Sequence, residues 1–133
     1  MTNDEVRPFQ LLYVSDLSPG TSDEVVAAIA IVSTQRNLAS GISGALLFDG
    51  RRFCQLLEGA ELEVRSLMAQ IMVDSRHCGV AVVAASHFGL PRLMTHWRLG
   101  CCSPEVLEPL ASRPLAKGEV ALALFMSAQA FAT

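Results

Sequence analysis

The sequence contains no apolar run long enough to cross a membrane, although 51% of its 133 residues are hydrophobic. A membrane-spanning helix needs roughly 18 to 20 consecutive apolar residues. The first residues, MTNDE, are acidic and lack the basic and apolar regions of a signal peptide. We therefore expect a cytoplasmic protein without a membrane partner, and the length suits one domain with a sizeable core.

Positive charge is also scarce. Lys and Arg number 10 against 13 Asp and Glu, so the formal net charge is −3 at pH 7. Proteins that bind nucleic acid usually concentrate basic residues on one face, where they meet the phosphates. The charge therefore argues against nucleic acid as the main partner.

A metal-binding cysteine pattern is missing as well, because no two cysteines stand in a C-x-x-C spacing. The four cysteines are Cys54, Cys78, Cys101 and Cys102. Adjacent Cys101 and Cys102 cannot easily chelate one ion, yet nearby histidines keep a zinc site open as a minor alternative. We expect no metal, and reduced thiols that are mostly buried.

Alternating apolar residues and turn signals predict five strands and three helices. The predicted strands cover residues 9–14, 45–48, 53–59, 80–86 and 97–101, and the predicted helices cover about 21–37, 60–74 and 117–131. The first helix should begin near Thr21, which has the capping-box spacing with Glu24, and fray near Asn37. Its predicted apolar face consists of Val25, Ala28, Ile29 and Val32, extended by Ser33.

The order of these elements, βαββαββ, is typical of an α+β fold. It predicts a ferredoxin-like sandwich with a mixed five-stranded sheet, two helices on one face and a C-terminal helical extension. The last predicted helix is nearly uncharged, so it must pack either on its own sheet or on a partner. In this topology the first and third strands lie side by side at the centre of the sheet.

Gln55 is an uncharged amide within an apolar strand, on the same face as Phe53 and Leu57. A buried amide without partners costs roughly 1–3 kcal/mol, so we expect it to be hydrogen-bonded. A backbone partner is the simplest interpretation, and a ligand is the other. Tyr13, by itself typical of a satisfied core tyrosine, could lie beside Gln55 if their faces match.

Several motifs appear in order and together resemble the BLUF family of blue-light sensors, which use the flavin FAD. The matching parts are Tyr13 in Leu-x-Tyr-x-Ser, residues 33–37 with 41–44, residues 53–59 in Phe-x-Gln-x-Leu-Glu-Gly, residues 74–77 in Asp-x-Arg-His, and Arg92 with Trp97. We therefore expect residues 1–102 to form a BLUF-like flavin-binding domain, with residues 103–133 as an extension for output or dimer contact.

The resemblance implies that the FAD ring lies between the two helices. The implied cofactor-binding residues are Ile29, Ser33, Arg36, Asn37, Gln55, Gln70, Ile71, Asp74, Arg76 and His77. Ile29 and Ile71 would lie against the two faces of the ring, and Asn37 would bind its polar edge. Gln70 stands where some members carry a basic residue.

The family mechanism is photochemical and not enzymatic, and it implies three photoactive residues, Tyr13, Gln55 and Trp97. Blue light excites the flavin, Tyr13 supplies an electron and a proton through Gln55, and the reverse transfer leaves the Gln55 amide rearranged. A new hydrogen bond to the ring shifts the absorption to the red.

The expected output runs through the strand that carries Trp97 and Leu99 and through the C-terminal helix. Many family members have methionine where this chain has Leu99. We expect the signal to reach an unknown protein partner, or to change the oligomeric state to a homodimer or higher oligomer.

Two alternatives remain open. A flavin enzyme such as a reductase is disfavoured, because the sequence shows no nicotinamide fingerprint or suitable acid-base pair. A flavin-free or photo-inactive interaction domain would keep only the fold.

Overall fold

The computed structural model describes residues 8–87, 92–112 and 114–133, and within these ranges the chain forms five strands and four helices. The strands are β1 (Phe9–Leu17), β2 (Ser43–Phe48), β3 (Arg52–Gly59), β4 (His77–His87) and β5 (Trp97–Cys101). The helices are α1 (Asp23–Ala39), α2 (Glu61–Met72), α3 (Pro104–Ala111) and α4 (Gly118–Gln129). The sequence also predicts a polar arm over residues 1–8 and a polar connection over residues 87–96, and of these segments residues 1–7 and 88–91 lie outside the described residues.

All five strands belong to one sheet in the order β4–β1–β3–β2–β5. β1 runs antiparallel to β3 and β4, and β3 runs antiparallel to β2, whereas β5 adds to β2 in parallel. The predicted mixed sheet and the βαββαββ order are therefore confirmed. The central position of β1 and β3 follows from their composition, since apolar side chains on both faces require cover on both sides.

One face of the sheet packs against α1 and α2. Its core contains Phe9, Leu11, Tyr13, Ile42, Leu57, Val64, Leu67, Met68 and Ile71. The opposite face packs against α3 and α4, which bury Leu107, Leu110, Ala121, Phe125 and Ala128 against Leu12, Cys54 and Leu56. The sequence left open whether the apolar C-terminal helix packs on its own sheet or on a partner, and in the structure it packs on its own sheet.

The ends of α1 differ from the prediction. Ser22, not Thr21, is the N-cap, and its hydroxyl accepts a hydrogen bond from the Val25 amide at 3.3 Å. Both residues can cap a helix, and spacing alone does not choose between them. At the other end the helix continues beyond Asn37 to Ala39, so Asn37 lies inside it and does not end it.

The predicted apolar face of α1 is also only partly correct. Ala28 and Val32 are exposed, whereas the buried positions of the helix are Ser33 and Asn37. The helix therefore turns polar side chains toward the protein interior. This reversal indicates that something other than a hydrocarbon core lies beneath it.

The sequence predicts that the second helix closes with the charged residues 74–77 and that Gly79 stops it, whereas in the structure residues 73–76 form a turn after α2. The carboxylate of Asp74 accepts the Arg76 amide at 3.0 Å, and β4 begins at His77. Gly79, expected to stop the helix, lies within β4 at a φ of +61°, where a Cβ would come 3.1 Å from the Asp16 carboxylate. The pairing of β1 with β4 shifts register at this point.

Helix α3 was not predicted, because Pro104 and Pro109 suggested an irregular segment. Pro104 occupies the first turn, where the missing amide hydrogen would have no helical partner in any case. Pro109 lies inside the helix, which ends two residues later.

Candidate functional site

Tyr13 and Gln55 lie directly opposite each other on β1 and β3. The Gln55 amide nitrogen Nε2 donates a hydrogen bond to the Tyr13 hydroxyl. The amide oxygen Oε1 is buried and has no partner among the residues that the structure describes. The expectation of a backbone partner for this side chain is therefore wrong: one half of the amide binds a tyrosine, and the other half is unused.

A cavity of about 300 Å³ lies next to this pair, between α1 and α2. Small-molecule sites typically measure ~300–1,000 Å³, so the cavity can hold part of a ligand of that size. Its lining consists of Tyr13, Ile29, Val32, Ser33, Arg36, Leu46, Phe53, Gln55, Gln70, Ile71, Asp74, Arg76 and His77. Ile29 and Ile71 contribute apolar side chains from the two different helices.

Asn37 and Trp97 are the two sequence-predicted site residues that do not line the cavity. Asn37 is fully buried one turn beyond Ser33, and its Nδ2 and Oδ1 have no partner within the described part of the chain. The indole nitrogen of Trp97 donates to the Thr34 hydroxyl at 3.1 Å, which holds the side chain against α1.

Buried polar atoms without partners are concentrated at this site. In the described residues they are Arg36 Nε, both amide atoms of Asn37, and Gln55 Oε1. Each such group costs about 1–3 kcal/mol when it stays unpaired. A planar ligand with donors and acceptors along one edge would satisfy them, and this set therefore fits the ring of a flavin.

Charged groups form part of the lining of the cavity. Asp74 Oδ2 accepts from Arg76 Nη2 at 2.6 Å, and this hydrogen bond lowers the pKa of the Asp74 carboxyl from 3.8 to about 2. Gln70 Oε1 accepts from Arg36 Nη1 at 3.5 Å. Burial lowers the pKa of the Arg36 guanidinium, which nonetheless stays charged because its usual pKa is so high.

Burial also shifts the pKa values of the two titratable rings of the site, Tyr13 and His77. It raises the pKa of the Tyr13 hydroxyl well above its usual range, so this residue is a neutral phenol. It lowers the pKa of His77, whose Nδ1 lies 3.0 Å from the Ser15 hydroxyl. The His77 ring is 6.3 Å from the Tyr13 ring, measured between centroids.

Sequence reasoning missed several residues at the site. Phe53 and Leu46 line the cavity, and both could have been found from the position of Gln55. Phe53 lies on the same face of β3 as Gln55, and Leu46 of β2 is the cross-strand partner of Gln55. Val32 also lines it, from the exposed side of α1. Ser15 lies on the same face as Tyr13, two residues away, and the Leu-x-Tyr-x-Ser motif was its signal.

Other kinds of site are less well supported within the described residues. No group of three or more His, Cys, Asp or Glu could hold a metal ion there. All four cysteines are unpaired, and only Cys54 is buried, so the expectation of mostly buried thiols is wrong. In the same part of the chain, no helix has the length and apolar character that crossing a membrane requires.

Comparison with known proteins agrees with the geometry. A family profile, BLUF, described as sensors of blue light using FAD, matches residues 9–100. The blue light- and temperature-regulated antirepressor BluF of Escherichia coli (strain K12) is 33% identical over 70 residues, which are 53% of this chain and 17% of that protein. A photoactivated adenylate cyclase subunit alpha from Euglena gracilis is 34% identical over 80 residues, 60% of this chain and 8% of that protein. The chain thus spans less than a fifth of the length of these curated relatives.

Solved structures show the same fold. The dark-state structure of BlrB, described as a BLUF protein, has a TM-score of 0.69 and 25% identity, and the match covers 95% of this chain and 97% of BlrB. A bacterial light-regulated adenylyl cyclase matches with a TM-score of 0.64 and 28% identity over 69% of this chain and 28% of the cyclase. With its sheet, its cavity and the family profile over residues 9–100, the chain belongs to the BLUF family of blue-light sensors, whose cofactor is FAD.

Proposed function

We propose that this chain is a blue-light photoreceptor in which FAD occupies the cavity between α1 and α2, and in which light rearranges the hydrogen bonds of Tyr13 and Gln55. The observation that carries the proposal is the half-satisfied Gln55 amide. Its nitrogen binds Tyr13, and its oxygen is buried without a partner among the described residues. Such an amide can connect the tyrosine to a ligand.

The cofactor would be held by residues of both helices. Ile29 and Ile71 would enclose the two faces of the ring, and Asn37, with Ser33 beside it, would bind the polar edge through its unpaired amide. The remaining polar contacts would come from other polar residues of the lining: Arg36, Gln70, Asp74, Arg76 and His77.

Bound FAD would supply the absorption of blue light and the capacity to accept and return one electron. Tyr13 is the donor in the proposed step, and its proton moves through Gln55. Burial keeps the tyrosine neutral in the dark, so its hydroxyl still carries the proton that the step requires. After the electron and proton return, the Gln55 amide presents a different hydrogen-bonding edge.

The rearranged state persists because the site is buried. Tyr13 and Gln55 are each only 3% exposed, so water does not replace a hydrogen bond that is broken there. An unmade bond in such a place costs about 1–3 kcal/mol, and the neighbouring strands adjust to avoid it.

The proposed output route starts three residues beyond Gln55. The fully buried carboxylate of Glu58 accepts the Met94 amide at 2.7 Å and the Leu93 amide at 3.0 Å. The sulfur of Met94 in turn lies 3.4 Å from the side-chain nitrogen of Gln129 on α4. A movement of β3 would therefore displace the segment that precedes β5.

β5 itself is attached to the C-terminal residues. Arg98 donates to the carbonyl oxygens of Gln129 at 3.0 Å and Ala132 at 2.7 Å. The backbones of Cys101 and Thr133 exchange two hydrogen bonds of 2.9 Å. We propose that these contacts carry the signal to a separate effector protein or to a change in oligomeric state, with residues 103–133 as the output segment.

Absorption spectroscopy of the purified protein, reconstituted with FAD, tests the proposal. We expect a yellow protein whose flavin bands shift to the red under blue light and return in the dark. A protein that takes up no FAD would instead be a flavin-free interaction domain. A yellow protein without a reversible shift would favour a flavin enzyme or a photo-inactive member.

Hydrogen exchange in the dark and under illumination tests the output route. We expect the amides of β5 and of residues 129–133 to change their exchange rates on illumination, whereas those in the first turn of α2 stay constant. Light scattering under the same conditions separates a change of oligomer from a signal to another protein.

A further inference from the structure

The side chains of Ser15 and His77 are in contact at the edge of the cavity, and the proposed electron and proton transfer does not use this contact. Ser15 is buried on β1, two residues beyond Tyr13 and on the same face. Its hydroxyl lies 3.0 Å from Nδ1 of His77, the first residue of β4. The pair therefore joins two neighbouring strands at the wall of the site.

The His77 ring is held in a fixed place by this contact and by two aromatic neighbours. Its centroid lies 6.3 Å from the ring of Tyr13 and 6.0 Å from the ring of Phe53, which it meets edge to face. Tyr13, Phe53 and His77 all line the same cavity. A change in the charge of His77 would consequently act on Tyr13 at short range.

The other titratable and charged groups facing this corner are Asp74 and Arg76 in the turn before β4, and Arg36 on α1. Burial is the main reason that the pKa of His77 is lowered, and Arg76 adds to it, whereas the Asp74 carboxylate favours the protonated ring. Of the residues that line the cavity, β1 contributes the neutral Tyr13, and β3 contributes the uncharged Phe53 and Gln55. The Asp16 carboxylate of β1 does not line the cavity and lies beside Gly79 of β4. His77 is therefore the group of this corner whose ordinary pKa lies nearest to neutral pH, and burial lowers that pKa.

We propose that Ser15 is a positioning residue that holds the His77 ring beside Tyr13, so that protonation of His77 sets the rate at which the light-induced state returns to the dark state. A positive charge near a phenol makes its hydroxyl a better donor and a poorer acceptor. In the dark arrangement the Tyr13 oxygen accepts from Gln55. Protonation of His77 would thus shift the balance between the two hydrogen-bond arrangements of this pair.

The inference rests on the proposed photoreceptor function, and two measurements on the FAD-loaded protein test it together. One is the rate of dark recovery after a blue-light pulse, followed from pH 5 to 9. The other is the titration of the His77 ring nitrogens by NMR in the dark, which does not depend on photochemistry. We expect a severalfold change in recovery rate, with its inflection at the pH where His77 titrates.

Variants separate positioning from a general structural effect. Ser15→Ala should move both the inflection and the NMR titration to lower pH by about half a unit, because the hydroxyl can accept from the protonated ring. Ser15→Thr keeps the hydroxyl and should restore both. His77→Gln should remove the inflection, and His87→Gln, whose ring binds Glu61 at 2.7 Å, should leave it in place.

Recovery that is independent of pH, or an inflection that neither Ser15→Ala nor His77→Gln moves, would overturn the inference while the red shift itself persists. If Ser15→Ala fails to fold, His77→Gln and Ser15→Thr together still test the inference. Absence of any red shift in the unaltered protein would instead overturn the proposed function, so the two failures are distinguishable.

Discussion

The side-chain amide of Gln55 donates to the hydroxyl of Tyr13, its direct neighbour across the central strands, and leaves its own oxygen unpaired within the described residues. The two residues are 42 positions apart in the chain. This relationship joins the dark structure of the site to its proposed chemistry, because one amide contacts both the tyrosine and the cavity.

Replacement of Tyr13 by Phe should keep the flavin and abolish the red-shifted state. The apolar ring remains, so the wall of the cavity is preserved, but the hydroxyl that exchanges its proton with Gln55 is lost. The sequence contains a single tyrosine, so no other tyrosine can replace it. The light-minus-dark absorption spectrum measures the effect.

Gln10→Ala is the control for this experiment, since Gln10 lies on the opposite face of β1 and its amide binds Glu58. That variant should keep the red shift. An unchanged difference spectrum in Tyr13→Phe would contradict the role assigned to Tyr13.

Replacement of Asn37 by Ala should weaken FAD binding about tenfold or more, because the amide is fully buried and reserved for a ligand. The free energy of unfolding without flavin should change by less than about 1 kcal/mol, since no hydrogen bond of the described protein is lost. Flavin fluorescence titration and denaturation of the apo protein measure the two effects.

Gln129→Ala is the matched control for Asn37→Ala, and we expect the opposite result for stability and for FAD binding. Its buried amide is paired with Arg98 and contacts Met94, and none of these three residues lines the cavity. This variant should lose stability and bind FAD as before. A loss of apo stability in Asn37→Ala comparable to that of Gln129→Ala would show that Asn37 is structural.

The pair of Asp74 and Arg76 should make stability depend on pH in a defined range. The folded pKa of Asp74 is lowered to about 2, below the unfolded value of 3.8, so its contribution is present above the unfolded pKa and is lost as the pH falls through about 2. Because the two side chains are 25% and 42% exposed, screening limits the contribution to about 1 kcal/mol.

Denaturation of Asp74→Asn and of the unaltered protein, measured in parallel, gives the contribution of this pair to the free energy of unfolding. The unaltered protein should be more stable by that amount above about pH 5, and the two curves should meet near pH 2. Arg76→Ala should show the same convergence with the unaltered protein, because either change removes the pair. A difference that is equal at pH 2 and pH 7 would rule out this pair as its source.

Replacement of Glu58 by Ala should destabilise the fold by about 3 kcal/mol and loosen the segment before β5. The carboxylate accepts three hydrogen bonds, from Gln10, Leu93 and Met94. Within the described residues these three donors have no second acceptor that could replace the carboxylate. Faster amide exchange at Met94 and a lower midpoint in urea would register the change. Glu63→Ala, at an exposed position of α2, should stay within about 0.5 kcal/mol.

Much of the fold could be read from local patterns. The alternation around Tyr13 and around Gln55 predicted two central strands, and their adjacency followed from the order of the elements. Helix ends were less predictable, because both Thr21 and Ser22 can cap a helix, and the capping-box spacing with Glu24 favoured Thr21 although Ser22 caps α1. Helix α3 was hidden by its prolines. Pro104 occupies the first turn, where a helix tolerates proline, whereas Pro109 lies inside the helix.

The candidate site was predicted as a set of residue types, without their arrangement. Motifs at 53–59 and 74–77 named Gln55 and Asp74, and the cavity brings them together with Tyr13. Phe53 and Leu46 were missed because an apolar residue in a strand has the same pattern whether it meets another side chain or a cavity. Asn37 looked like a helix end for a similar reason, since asparagine favours such ends and its burial depends on the sheet beneath it.

Local chemistry was therefore enough for the strands, the order βαββαββ and the family, since short-range patterning and motif spacing are properties of the chain itself. Which groups are left unpaired is a property of packing. The orphaned amides of Gln55 and Asn37, the contact of Ser15 with His77 and the attachment of Arg98 to α4 arise only when distant segments meet. Whether a buried polar atom finds a partner is decided by neighbours far along the chain, and for this reason the tertiary structure alone defined the site.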